Sequence, residues 1–157
     1  MLAAMSVGRE LLQRVRAAQE ELGTGDAGEA LNLVQPLLTE TGEALRGMDF
    51  LSRSAEDRAQ VLEAFCYARV TAILALESVG AAAAVPRIRA LAGEALDVAT
   101  PGNDAWKALC AAAEMLARSG DAEGALRAVE AASRLVPEEE YVTRLRASLR
   151  SMFPHAG

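Results

Sequence analysis

The clearest structural pattern in this chain lies in residues 105–137, which read AWKALCAAAEMLARSGDAEGALRAVEAASRLVP. Apolar residues recur every three or four positions on both sides of Gly120, which is the spacing of an amphipathic helix. Glycine interrupts a helical pattern and marks a turn. The stretch therefore predicts two helices, at about 104–118 and 121–136, joined by a short turn.

Two turns in the chain have nearly the same sequence. Residues 25–31 read GDAGEAL and residues 120–126 read GDAEGAL, and each copy joins two predicted helices. In the first copy Asp26 stands three residues before Glu29, which resembles a capping box at the start of a helix. The shared sequence motif indicates a repeated helical hairpin.

The segment around the second copy resembles the tetratricopeptide repeat (TPR), a 34-residue helix–turn–helix unit. With Gly120 at the family's turn position, eight residues fall at its packing positions or its closing proline: Leu109, Ala112, Ala113, Leu116, Ala125, Val129, Ala132 and Pro137. Alanine at the crossing points lets two helix backbones come close together. Residues 9–40 match less well, and residues 54–99 keep only the outline of helix, Gly80 and helix.

Outside residues 105–137 the spacing of apolar residues is also helical, and no run alternates between apolar and polar residues as a strand does. A first helix is predicted at about 4–22 and a second from Asp26 onward. Pro36 lies inside that second helix, where it removes a backbone donor and crowds the preceding turn. We therefore expect a kink or an early helix end near residue 35, and a connecting segment over 41–53.

The resulting fold class is all-α, in a single domain over residues 1–157. About seven antiparallel helices are expected, with Pro86 in the first turn of the fourth, which begins near residue 84. The resemblance implies a short TPR-like right-handed solenoid of helical hairpins. The hairpins are expected at about 4–40, 54–99 and 104–136, with a capping helix at 137–152 and a short disordered tail at 153–157.

Composition and charge agree with a helical chain that does not bind nucleic acid. Alanine and leucine, both strong helix formers, account for 34 and 21 of the 157 residues. The formal net charge is −6, and acidic residues interleave with the arginines. Nucleic-acid affinity depends on clustered cations, so we expect no nucleic-acid partner.

The termini and the cysteines favour a cytoplasmic protein that has no membrane segment. The apolar start of the chain is interrupted by Arg9 and Glu10, and the longest apolar stretch, residues 70–86, is broken by Glu77. Both runs are shorter than a membrane span. Cys66 and Cys110 lie in helical apolar patterns, where a reduced thiol behaves as a small hydrophobic residue.

The sequence does not favour an enzyme, a metal site or a cofactor. The one histidine, His155, lies in the tail, and no second histidine or nearby cysteine pair completes a zinc site. Neighbouring carboxylates such as Glu20 and Glu21 point about 100° apart on a helix, so they do not converge on one centre.

The TPR resemblance implies a partner-binding surface lined by the first helix of each hairpin. On this alignment, with the neighbouring Trp106, the surface comprises Tyr67, Val70, Leu74, Trp106, Lys107, Cys110, Glu114 and Arg118. The opposing interpretation is that Phe65, Tyr67 and Trp106 are packing residues. Capture of a C-terminal carboxylate, known in this family, is rejected because Ala111 stands where an arginine is needed.

We therefore expect a non-catalytic protein–protein interaction module, a TPR-like scaffold or adaptor that binds a peptide or a partner helix. The alternative is a small-molecule-sensing or regulatory helical bundle, with Cys66, Tyr67 and Trp106 near an internal pocket. Self-association through the apolar stretch at 70–85 is compatible with either.

Overall fold

The computed structural model describes residues 6–156, except for the side chain of Ala81. Over this range the chain is all-helical and has no strand, which confirms the all-α prediction. The seven α-helices are α1 Val7–Gly23, α2 Ala27–Arg46, α3 Ala55–Ala75, α4 Ala81–Val98, α5 Ala105–Arg118, α6 Ala122–Leu135 and α7 Glu140–Met152. Short 3-10 helices occupy Phe50–Ser52 and Leu76–Val79. The predicted start of the first helix, at residue 4, lies outside the described residues.

The chain divides into two compact units, Met1–Ala75 and Leu76–Gly157, here the N-terminal and C-terminal units. The N-terminal unit contains α1, α2 and α3, and each of these helices packs on the other two. The C-terminal unit contains α4 to α7. The sequence predicted a hairpin over 54–99, and the two helices of that stretch, α3 and α4, belong to different units.

The two copies of the shared motif form the same turn. The glycines, Gly25 and Gly120, have φ values of 93° and 81°, which glycine adopts without a steric penalty. The N–H of Asp26 donates to the carbonyl of Glu21 at 2.9 Å, and that of Asp121 donates to the carbonyl of Leu116 at 2.8 Å. These bonds close a Schellman-type helix end.

Each aspartate of the repeated turn also caps the helix that follows. The Asp26 carboxylate accepts from the N–H of Glu29 at 2.9 Å, and the Asp121 carboxylate accepts from the N–H of Gly124 at 3.1 Å. These bonds satisfy N–H groups that have no partner within the helix. The helix-to-helix turns expected from the shared motif are therefore confirmed.

Of the two outcomes predicted near residue 35, the early helix end is wrong, because α2 continues through Pro36 to Arg46, and the kink stays a prediction. Pro36 and Asn32 are both exposed, so water can reach the Asn32 carbonyl that loses its usual donor. Beyond the proline, the buried residues Leu37 and Thr41 anchor the helix in the core. The connecting segment is consequently shorter than the predicted 41–53 and begins at Gly47.

Arg69 is the largest fully buried side chain of the N-terminal unit, and it joins α3 to α2. Its Nη2 donates to the Leu38 carbonyl at 2.8 Å, and its Nη1 donates to Thr41 Oγ1 at 2.5 Å. The guanidinium carbon lies 3.6 Å from the centroid of the Phe65 ring. A charged group in the core needs such bonds, since burial removes its hydration.

Gly8 of α1 lies in close contact with α3. Its N–H donates to the Asp57 carboxylate at 2.7 Å. A Cβ at position 8 would lie 2.6 Å from the Asp57 carbonyl oxygen, which is a steric clash with backbone. Only glycine fits this contact without a shift of one helix.

In the C-terminal unit, α5 packs on α4 and on α6, and α7 packs mainly on α6. One core cluster contains Leu109 and Cys110 of α5, Ala131 and Ala132 of α6, and Val142 of α7. Two predicted boundaries shift: α4 begins at Ala81 rather than near residue 84, and α7 begins at Glu140 because the chain turns after Pro137.

One helical segment, Ala55–Val79, is long and apolar enough to cross a membrane, with a mean hydropathy of 1.4. The share of its most apolar window that is buried inside the structure is 61%. A core helix of this length passes the same test.

Candidate functional site

An apolar groove of about 210 Å³ lies in the C-terminal unit, where α4 and α6 both pack on α5. We call it the α4–α6 groove. From α4 it is lined by Arg89, Ala92, Gly93 and Leu96. The lining residues from the other two helices are Leu109, Leu116, Gly124, Arg127, Ala128 and Ala131.

Most of the residues that line the groove from α4 and α6 are glycine or alanine, which leaves space between the two helices. Leu109 and Leu116 of α5 are almost completely buried and form its floor. Ala128 and Ala131 on α6 are too short to fill the space above that floor. The one large apolar side chain at the rim, Leu96, is 47% exposed. The apolar surface that the groove leaves open to solvent is therefore mainly that of Leu96 and of the half-buried Ala92.

Gly93 is the least expected residue of the groove. It lies inside α4 and is exposed, and its φ is not positive. A Cβ at this position would meet nothing within 4 Å. Glycine inside a helix is less stable than alanine by roughly 0.5–1 kcal/mol. No contact within the fold requires a glycine here, and its effect is to leave the groove wider.

An ion pair connects α4 to the start of α6 beside the groove. Arg89 Nε donates to Asp121 Oδ2 at 2.6 Å, and Arg89 Nη2 donates to Asp121 Oδ1 at 2.5 Å. The hydrogen bond from Arg89 lowers the pKa of the Asp121 carboxyl, and the same bond raises the pKa of Arg89. A Cβ at Gly124 would lie 2.9 Å from the Asp121 carboxyl carbon, so a larger residue at 124 would displace the Asp121 carboxylate from this position.

Arg127 provides the second cation of the groove, and it is highly exposed. Its Nη2 lies 2.6 Å from the Glu123 carboxylate, one turn earlier on α6, and both side chains are about 70% exposed. Exposed pairs at this spacing contribute little free energy. Arg127 can therefore exchange Glu123 for an acidic group on a ligand.

The structure places the predicted α5 residues outside this groove. Trp106 and Lys107 are half-buried, and the Lys107 ammonium lies 5.7 Å from the Trp106 ring centroid. Cys110 is 3% exposed and belongs to the core cluster with Val142 of α7. Burial raises the pKa of the Cys110 thiol to about 12, so it stays protonated at neutral pH.

The last two predicted residues on α5 interact with other parts of the C-terminal unit. Glu114 accepts a hydrogen bond from the Tyr141 hydroxyl of α7, and burial raises the pKa of its carboxyl. Arg118 is exposed, and its guanidinium lies 3.7 Å from the Glu77 carboxylate. The helix α7 thus occupies part of the α5 face that the resemblance assigned to a partner.

The other predicted residues, Tyr67, Val70 and Leu74, lie on α3 in the N-terminal unit. All three are half-buried, and the Tyr67 carbonyl accepts from Thr71 Oγ1 at 2.7 Å. Of the groove residues, sequence reasoning singled out none as functional. Gly93 offered the one visible signal, because it is an isolated glycine within a helical pattern.

Comparison of the chain with protein-family models, with curated proteins and with solved structures finds no match. Within residues 6–156, no three His, Cys, Asp or Glu side chains form a group that could hold a metal ion. The geometry of the α4–α6 groove is therefore the basis for the function proposed below.

Proposed function

We propose that this chain is a non-catalytic protein–protein interaction module that binds a short segment of a partner protein in the α4–α6 groove. The observation that carries the proposal is Gly93. The fold does not need a glycine at this position, and the residue lowers the stability of α4 while it widens an apolar groove. A binding function for the groove accounts for the glycine at position 93.

The groove's chemistry indicates what the partner segment contains. The lining is apolar, so a bulky apolar side chain gains free energy when it leaves water and covers Leu96, which is 47% exposed, and the half-buried Ala92. Arg89 and Arg127 lie beside this floor, so an acidic residue next to the apolar one gains an electrostatic contact. The segment proposed is therefore a bulky apolar residue with an aspartate or glutamate beside it.

The size of the groove favours a peptide side chain over a small-molecule ligand. Pockets for small molecules usually measure roughly 300–1,000 Å³, and the groove measures about 210 Å³. The alternative, a small-molecule sensor with Cys66, Tyr67 and Trp106 at its pocket, has less support, since these residues do not line the groove.

Several finer expectations belong to the same proposal. We propose a TPR-like character for the hairpin of α5 and α6, supported by its Gly120 turn and by the buried alanines at 112, 113, 125 and 132. The right-handed solenoid, the cytoplasmic location, the absence of nucleic-acid and membrane partners, and self-association through residues 70–85 stay predictions. The surface of Tyr67, Val70 and Leu74 with the α5 residues also stays a prediction.

Selection from a random peptide library tests the proposal. The bait proteins are the wild type, Gly93→Leu and Gly28→Leu. A leucine at 93 fills the groove from α4, while Gly28 is an exposed helical glycine of α2 where an added Cβ would make one ordinary contact, 3.7 Å from the Asp26 carboxylate. We expect the wild type and Gly28→Leu to enrich the same peptides, each with a bulky apolar residue beside an acid, and Gly93→Leu to enrich none of them.

The substitution at 93 is also expected to keep the fold intact, because leucine raises helix propensity relative to glycine by up to about 1 kcal/mol. Urea unfolding of all three baits checks this. Enrichment of the same peptides by Gly93→Leu, or of no peptide by any bait, would falsify the proposed function.

A further inference from the structure

The link between α2 and α3 exposes two bulky apolar side chains close together. Met48 is 98% exposed and Leu51 is 79% exposed. We call residues 48–51 the apolar loop. The sequence assigned it to a connecting segment, and nothing in its apolar content marked it as a surface. Two such side chains held in water are unfavourable unless a partner covers them.

The apolar loop is an ordered structure. The N–H of Phe50 donates to the Gly47 carbonyl at 3.1 Å, and the N–H of Arg53 donates to the Phe50 carbonyl at 3.2 Å. The Ser52 hydroxyl donates to the Asp49 carbonyl at 2.7 Å. A loop held in this way loses little conformational entropy when it binds.

The composition of the apolar loop matches the segment proposed for the α4–α6 groove. Asp49 is exposed and stands between the apolar residues Met48 and Phe50. In the groove, Arg89 and Arg127 lie beside an apolar floor. The apolar side chains of the loop match the apolar lining, and Asp49 matches Arg127, whose exposed pair with Glu123 can exchange for another carboxylate. An anionic membrane matches less well, because acidic residues accompany the arginines on both sides of the loop.

We propose that the apolar loop of one copy docks in the α4–α6 groove of a second copy. This inference rests on the proposed function of the groove and names its occupant. The two surfaces differ, so the contact is heterologous, and each copy offers one loop and one groove. Association of this kind adds copies until the rotation between them closes a ring, or continues where it does not close. It differs from the association through residues 70–85 expected from the sequence.

Mixing two defective variants tests the proposal. The loop variant combines Met48→Ser with Leu51→Ser, and the groove variant is Gly93→Leu. Light scattering after size exclusion is expected to show a wild-type mass that rises with concentration, while each variant alone stays monomeric. An equimolar mixture is expected to form a heterodimer and nothing larger, because it contains one intact loop and one intact groove per pair.

A matched control is Leu33→Ser on α2, another exposed leucine, which is expected to associate as the wild type does. The proposal is overturned if the wild type is monomeric at every concentration, if either variant alone associates as the wild type does, or if the mixture stays monomeric. Loss of association in Leu33→Ser also overturns the proposal. None of these outcomes affects peptide selection by the groove, so the two proposals fail separately.

Discussion

Replacing Arg69 with alanine is expected to lower the free energy of unfolding by about 3 kcal/mol or more. The substitution leaves the Leu38 carbonyl and Thr41 Oγ1 without the donor that reaches them from α3. It also opens a cavity beside Phe65, since the Arg69 side chain is 1% exposed. Urea denaturation followed by circular dichroism measures the change.

The matched control for this prediction is Arg16→Ala. Arg16 is an exposed arginine of α1, and its loss is expected to change stability by no more than about 0.5 kcal/mol. If both substitutions have equal effects, Arg69 does not stabilise the contact between α2 and α3.

Gly8→Ala is expected to destabilise the chain by about 1–3 kcal/mol, although alanine is the better helix former. The added methyl group would lie 2.6 Å from the Asp57 carbonyl oxygen, so α1 must move away from α3. That movement also lengthens the 2.7 Å hydrogen bond from the Gly8 N–H to the Asp57 carboxylate. The midpoint and slope of urea unfolding report the change.

Gly23→Ala in the same helix provides the comparison. A Cβ at Gly23 meets nothing within 4 Å, so this variant is expected to be as stable as the wild type or slightly more stable. Equal stability of the two alanine variants would show that α1 and α3 are not in close contact at Gly8.

The parts of the fold that could be predicted from the sequence depend on neighbours along the chain. The turns at Gly25 and Gly120 need a glycine in the left-handed region, and the aspartate that follows bonds an N–H three residues later. Both conditions can be identified within a few residues. Helical periodicity is likewise local, so most helix boundaries lie within a few residues of their predicted positions.

The path of α2 through Pro36 could not be predicted in this way. The proline itself favours a helix end, and that effect is local. The opposing interactions are tertiary: Leu37 and Thr41 are buried in the core, and Arg69 donates to the Leu38 carbonyl from 31 positions away. No pattern near Pro36 in the sequence indicates this donor.

The candidate site depends on tertiary packing even more than the path of α2 does. The TPR resemblance assigned a binding surface to α5, and α7 covers part of that face through the bond between Tyr141 and Glu114. The α4–α6 groove is the space that small side chains leave between two helices, so it exists only once α4, α5 and α6 are assembled. Gly93 was visible in the sequence, but a glycine in a helical pattern also fits a simple turn.

The most direct test of binding in the α4–α6 groove is the location of a selected peptide on the protein. Amide chemical shifts of the ¹⁵N-labelled chain, recorded as such a peptide is added, identify the residues that it contacts. We expect the largest changes at residues 89–96 and 124–131, around the groove. Changes centred on Trp106 and Lys107, or on Tyr67, with the groove residues unaffected, would contradict this expectation.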